Sequence, residues 1–327
     1  MIEETDKRGD GMKKKIAWIA GSVVFLLAVL LIGASNYFYN QGIKRGEQVE
    51  LYSEEPVELP NSETDQELLA EAQDWFSVQS LAEIEMTSHD GLKLRAYYLQ
   101  HPQASGKAVI LAHGYRGYGQ QMGDLAKFYY DHGFSLLMPD ARGHGESQGD
   151  YIGYGWHDRL DIKGWIQRLI DDYKMKSIFL HGNSMGAASV LMTSGEDLPS
   201  QVKGIIADSG YTDASEELSH QLRHLYHLPA FPLISLTSGM TKLRAGYWFG
   251  EASAIEQVKD NTRPLFIIHG DQDELVPTEM AHRLYEAADS EKQLWIVPGA
   301  GHTDAYAAAT AEFQKRLEAF IESALGI

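Results

Sequence analysis

Hydrophobic and polar positions divide the 327-residue chain into three stretches with different rhythms. Residues 16–34, IAWIAGSVVFLLAVLLIGA, run without a charge for nearly the ~20 residues that a helix needs to cross a bilayer core. Residues 41–64 are polar and acidic with two prolines, which predicts a solvated spacer. From residue 65 onward short apolar runs alternate with amphipathic ones. Residues 65–76 have helical spacing, and residues 84–86 and 92–99 alternate about the turn signal His89-Asp90-Gly91 as hairpin strands do. Then come AVILA (108–112), FSLLMP (134–139), SIFLHG (177–182), VKGIIADS (202–209), PLFIIHG (264–270) and QLWIVPG (293–299). Amphipathic segments at 121–132, 158–173, 185–193 and 278–288 separate most of them, and a last helix is expected to about residue 325. This cadence predicts an α/β fold: a mostly parallel sheet flanked by helices, with ligands bound at the carboxyl ends of the strands. Residues 211–262 break the rhythm with HLYHLPAFPLISLTSGMTKLRAGYWFG, apolar and aromatic with no strand to pair, and predict a helical cap.

The expected organisation is a basic tail at 1–15, a transmembrane signal anchor at 16–38, a spacer at 39–64 and one domain at 65–327. Lys7, Arg8, Lys13, Lys14 and Lys15 precede the apolar run, whereas only Lys44 and Arg45 follow soon after it. The positive-inside bias therefore puts the N-terminus in the cytoplasm and the domain outside. Tyr37, Phe38 and Tyr39 stand where an interfacial aromatic belt is expected. A cleavable signal peptide shares the basic-then-apolar pattern, with Gly33 and Ser35 as small residues around a cut, and would also export the domain. Lys and Arg total 28 against 46 Asp and Glu, a formal net charge of -18. Such a charge repels phosphate backbones and argues against a nucleic-acid partner. Cysteine is absent, which removes disulfides, thiolate metal sites and a Cys nucleophile.

The chemistry concentrates at the ends of the apolar runs. Gly182-Asn183-Ser184-Met185-Gly186 fits G-x-S-x-G, and it joins a buried-strand run to the helix-prone MGAASVLM, the strand–turn–helix setting that exposes a nucleophilic serine. A serine hydroxyl needs a base to take its proton and a third group to hold that base in one tautomer. His302, in the loop after the last strand, is the expected base. The acid is expected in Gly270-Asp271-Gln272-Asp273, after the preceding strand, where Asp271 and Asp273 are chemically equivalent; Asp208 is a third possibility. His113-Gly114-Tyr115-Arg116-Gly117 closes another strand, and the backbone N–H groups of Tyr115 and Met185 are the expected oxyanion donors.

In this order, HGYRG, PDARGHGES (139–147), HGNSMG, HGDQDELVP and GAGH make the chain from about residue 80 onward resemble the α/β-hydrolase superfamily, particularly its bacterial serine-aminopeptidase-like and esterase-like branch. The resemblance implies a triad of Ser184, Asp273 and His302, with the later aspartate as the acid, and a mainly structural role for Asp140, Arg142 and His144. It implies a serine hydrolase working through an acyl-enzyme on a small-molecule or peptide acyl substrate, an ester before an amide. No metal or organic cofactor is expected, because the triad needs none.

The cap is expected to favour a moderately large apolar acyl group, with Tyr211, Tyr226, Phe231, Tyr247, Trp248 and Phe249 as lining or as core. Short-chain ester hydrolysis fits equally. An aminopeptidase is the alternative and would need a carboxylate for the substrate's amine, for which Glu216, Glu217 and Glu251 are available. A membrane-tethered, non-catalytic binding module on the same scaffold is a reading of another class, opposed by the complete set of catalytic residue types. Haloperoxidase-like or transferase use of the triad is a further one.

Overall fold

The structure is a computed structural model that describes residues 2–46, 59, 61–103 and 105–327. Helix α1 (Ile2–Phe38) continues into one π-helical turn at Tyr39–Ile43, and its apolar stretch stands exposed. Among the described residues, Lys13–Ile43 is the one helical stretch long and apolar enough to cross a membrane, a property that an anchor and a signal sequence share.

The solvated spacer expected from residue 39 does not begin there. Tyr39 and Ile43, one turn apart, are buried against the domain. Lys44 forms a bridge with Tyr151, and the Arg45 guanidinium donates to the carbonyls of Ser147 (2.7 Å) and Gly145 (2.6 Å). Two apolar side chains at i and i+4 anchor a stretch whose composition is otherwise polar. Residues 47–58 and 60 of the expected spacer lie outside the described residues. The chain resumes with α2 (Glu63–Ser77), started by a capping box in which Ser62 and Asp65 satisfy each other's backbone N–H groups.

The sheet has eight strands. β1 (Ala82–Thr87) and β2 (Lys93–Leu99) form the expected hairpin, and β3 (Lys107–Ala112), α3 (Gly123–Asp131) and β4 (Phe134–Pro139) follow. Next come α4 (Asp158–Asp171), β5 (Ser177–Asn183), α5 (Met185–Ser194) and β6 (Val202–Asp208). The cap follows β6 as α6 (Ala214–Tyr226), α7 (Leu233–Ala245) and the short α8 (Ala254–Gln257). The chain closes with β7 (Leu265–Gly270), α9 (Thr278–Ala287), β8 (Lys292–Val297), α10 (Ala305–Ala308) and α11 (Thr310–Leu325). Strand order is β1-β2-β4-β3-β5-β6-β7-β8, antiparallel at β1–β2 and β2–β4 and parallel elsewhere.

The period of two explains the layering. Ala108, Ile110 and Ala112 of β3 face one core with Ile178 and Leu180 of β5 and helices α4, α5 and α9. Val109 and Leu111 face the other core with Phe179, Phe266 and helices α3 and α11. Inner strands buried on both faces read as continuous apolar runs, whereas edge strand β1 alternates toward solvent. Each fully buried Phe or Ile contributes roughly 1.5–3 kcal/mol. The result is a rigid platform whose parallel strands all deliver their carboxyl ends to one rim.

Candidate active site

At that rim β5 turns abruptly into α5. Ser184 sits at the turn with φ 55° and ψ -117°, a left-handed conformation unusual for a side-chain-bearing residue. A Cβ at Gly182 would clash with the Gly186 carbonyl, and one at Gly186 would clash with the Ala112 carbonyl, so both flanking positions require glycine. Ser184 N–H donates to the Asp208 carbonyl at 2.8 Å, fixing the elbow to β6.

Two further loops bring groups to Ser184. The loops after β7 and β8 touch so closely that a Cβ on Gly270 would run into the Ala300 backbone. That contact sets His302 beside Asp273: His302 Nδ1 lies 2.8 Å from Asp273 Oδ2, and His302 Nε2 lies 2.8 Å from Ser184 Oγ. Asp273 Oδ1 accepts from the backbone N–H groups of Leu275 (3.0 Å) and Val276 (2.8 Å). Burial alone would raise its pKa, but hydrogen bonds and attraction from His269 and His302 hold the carboxyl well below the usual range.

The two other aspartates do different work. Asp271 accepts from Gly299 N–H at 2.7 Å and so shapes the β8 turn. Asp208 is fully buried and pushed by burial up to about 7; its Oδ1 accepts from Ser209 Oγ, which in turn accepts from Thr303 N–H at 3.0 Å. Asp208 thus steadies the loop carrying His302 without touching the imidazole.

His269 is the residue that sequence reading missed. It lies buried at the end of β7, with Nε2 2.8 Å from the Val276 carbonyl and 3.1 Å from Asp273 Oδ2. Its signal was its place in PLFIIHG, four residues before Asp273, but a histidine inside an apolar run reads as core.

The expected oxyanion loop passes Ser184 closely, since a Cβ on Gly114 would stand 3.4 Å from Ser184 Cβ. His113 staples that loop to its neighbour: Nδ1 donates to the Gly114 carbonyl at 2.7 Å, and Nε2 accepts from Ala141 N–H at 3.0 Å. The following loop is structural in its contacts. Asp140 accepts from Gly119 and Glu146 N–H groups, the buried Arg142 pairs with Asp161 and Asp90, and His144 is buried against the Arg142 carbonyl.

A cavity of about 510 Å³ opens beside Ser184, with Tyr115 and Met185 in its wall. Of the six aromatic residues proposed for it, Tyr211, Tyr226 and Phe249 line it. Tyr247 is core, its hydroxyl on the Ile152 carbonyl, while Phe231 is 80% exposed and Trp248 47% exposed. Of the three glutamates, Glu216 pairs with Arg283 and Glu251 with Lys242, both outside the cavity. Glu217 lines it: Oε1 accepts from Gln221, and Oε2 is buried without a partner. Part of the wall comes from Phe38, Gln41, Gly42 and Ile43, at the end of the N-terminal helix. Among the described residues no group of three or more His, Cys, Asp or Glu side chains is arranged to hold a metal.

Known proteins share this architecture. The esterase Pf2001 of Pyrococcus furiosus superposes with a TM-score of 0.64 at 23% identity, over 87% of this chain and 98% of the esterase. Among sequences, protein YqkD of Bacillus subtilis is 26% identical over 234 residues, 71% of this chain and 76% of YqkD. The lysophosphatidylserine lipase ABHD12 of Danio rerio is 27% identical over 206 residues, 61% of this chain and 51% of the lipase. The model of the family described as serine aminopeptidase, S33, matches residues 103–238 and 213–304. With that match running over more than half of its length, this chain is a hydrolase of the serine aminopeptidase S33 family, built on the α/β-hydrolase fold.

Proposed function

We propose that the protein hydrolyses carboxylic esters through an acyl-enzyme on Ser184, with His302 as general base and Asp273 as its orienting acid. The observation that carries this reading is the continuous relay of 2.8 Å contacts from Ser184 Oγ through both imidazole nitrogens to Asp273. Ser184 Oγ attacks the carbonyl carbon while His302 Nε2 takes the hydroxyl proton, and the ionised Asp273 stabilises the imidazolium. The tetrahedral oxyanion accepts from the backbone N–H groups of Tyr115 and Met185. The carbon–oxygen bond to the leaving group then breaks, and the departing alcohol takes the proton from His302. Water repeats the sequence on the acyl-enzyme, with His302 again as base, and releases the carboxylic acid. An ester is favoured over an amide by the apolar lining of the cavity, and the similar proteins Pf2001, an esterase, and ABHD12, a lipase, agree with it. The excess of basic residues before the apolar run favours a catalytic domain on the outer side of the membrane, held by α1.

The test is labelling of the full chain, in detergent, with a fluorophosphonate probe. Wild type should label, and Ser184→Ala and His302→Ala should not. Full ester hydrolysis by Ser184→Ala, or no labelling of folded wild type, would overturn the proposal.

One observation favours a peptidase as the second reading. Glu217 lines the cavity and its buried Oε2 has no hydrogen-bond partner, so its carboxyl is the candidate to meet the free amine of an N-terminal residue. Under this reading Glu217→Gln abolishes cleavage of aminoacyl anilides but spares simple esters; equal effects on both would discard it.

A further inference from the structure

We infer that the substrate is a membrane-resident lipid ester, drawn from the bilayer leaflet beside the N-terminal helix into the cavity at Ser184. The inference rests on the ester-hydrolase reading and names its substrate class.

The first support is the identity of the cavity wall. Phe38, Gln41, Gly42 and Ile43 follow directly on the apolar stretch of α1, and they share one cavity with Ser184. This wall is fixed in place: the Gly42 carbonyl accepts from the hydroxyls of Tyr115 (3.0 Å) and Tyr154 (2.9 Å), and Arg116 donates to the Gln41 carbonyl. At 1.5 Å per residue, Gly42 stands only ~12 Å along the helix from Ala34, the end of the uncharged run. A bilayer's headgroup zone is ~5–8 Å thick on each side. The cavity therefore lies just above the surface of any membrane that α1 spans.

The second support is the outer face of the cap. Helix α7 runs beside the last turns of α1: Arg244 Nη1 donates to Asn36 Oδ1 at 2.9 Å, and its guanidinium lies 4.8 Å from the centre of the Tyr39 ring. Phe38 meets Tyr226 of α6 edge-on at 5.2 Å. The cap is thus held at the height of the helix's exit. On that cap Phe231 is 80% exposed and Leu243 88% exposed, with Leu228, Leu236 and Trp248 also presented outward. Five exposed large apolar side chains within residues 228–248 suit an interaction surface, and a Trp among them suits an interface between water and hydrocarbon. Continuity with a membrane-spanning helix identifies the partner as lipid. An apolar cavity of about 510 Å³ then takes the acyl chain, leaving the ester carbonyl at Ser184. The net charge of -18 favours neutral or zwitterionic lipids over anionic ones.

The test uses the full chain in phosphatidylcholine vesicles with two reporters: a fluorogenic long-chain acyl ester dissolved in the bilayer, and water-soluble p-nitrophenyl acetate. Wild type should hydrolyse both. Replacing the exposed pair, Phe231→Glu with Leu243→Glu, should cut hydrolysis of the embedded ester by about tenfold or more while leaving the soluble ester within about twofold. The single variant Leu243→Glu, at a nearly fully exposed position, should show the same direction without risk to folding. Unchanged hydrolysis of the embedded ester by these variants, or equal losses on both esters, would overturn the inference. Wild type acting on the soluble ester alone would sink the lipid substrate and leave the esterase standing. Wild type acting on neither, without fluorophosphonate labelling, would sink both.

Discussion

His269 Nε2 lies 3.1 Å from the same Asp273 oxygen that faces His302 at 2.8 Å, so one carboxylate is clamped between two imidazoles. His302 faces Ser184, whereas His269 is buried and turned away from it toward the Val276 carbonyl. Its part is positional: it holds the carboxylate ionised and aimed. His269→Asn should lower kcat by roughly tenfold with KM nearly unchanged, because the lost hydrogen bond serves a charge that matters most as His302 becomes an imidazolium. Steady-state kinetics on a soluble ester check this, and a loss confined to KM would refute the positioning role.

The two neighbouring aspartates should separate cleanly. Asp273→Asn leaves the shape but removes the charge facing His302, and kcat should fall by about 10³–10⁴-fold. Asp271→Asn disturbs only the hydrogen bond from Gly299, so activity should stay within about tenfold of wild type. Comparable losses in the two variants would mean that the acid has been misassigned.

Glu217 sets a dependence of stability on pH. Burial pushes its carboxyl from 4.5 up to about 8, with the charges of Asp273 and Glu216 adding to the shift against the hydrogen bond from Gln221. A carboxyl raised on folding weakens the native state progressively as pH climbs from its unfolded value toward its folded one. Glu217→Gln removes that titration. The variant should gain on wild type between pH 4.5 and about 8, by at least ~1 kcal/mol at pH 8.5, or roughly 2–4 °C in Tm. Urea midpoints at pH 5, 7 and 8.5 measure it, and a constant difference across that series would contradict the assignment.

Arg142 is a stability residue. Its guanidinium is buried, 2.7 Å from Asp161 and 2.9 Å from Asp90, and it ties the loop after β4 to α4 and to the β1–β2 turn. Arg142→Ala strands the buried Asp161 and should cost about 3–5 kcal/mol. Urea unfolding of the variant reads this directly; a loss under about 1 kcal/mol would show the network to be dispensable.

These contacts also mark what could be read from the chain alone. The strands were legible because burial on both faces turns an inner strand into an unbroken apolar run, as in AVILA and SIFLHG. Ser184 stood out because a sharp strand-to-helix turn leaves a local trace, with glycines forced on both sides by backbone contact. Asp271 and Asp273 could not be separated by residue chemistry, since the β8 loop approaches both and the difference lies in which one faces the His302 imidazole. Gly42 left no trace, because its place in the cavity wall depends on tyrosines 73 and 112 residues away. Phe231 and Phe249 look alike in an aromatic stretch, yet one is exposed and the other buried. In short cap helices no sustained period tells inside from outside. The docking of residues 39–46 was hidden for a related reason: two buried side chains among polar ones do not shift a composition.

The left-handed backbone at Ser184 sets folding and the proposed chemistry against each other. Any residue with a Cβ held at φ 55°, ψ -117° costs of order 1–3 kcal/mol, and glycine alone escapes most of it. Ser184→Gly should therefore be inert yet more stable than either wild type or Ser184→Ala, and urea midpoints of the three proteins would show it. Under the proposed function, the reaction asks for a side chain at the one turn where the backbone favours none.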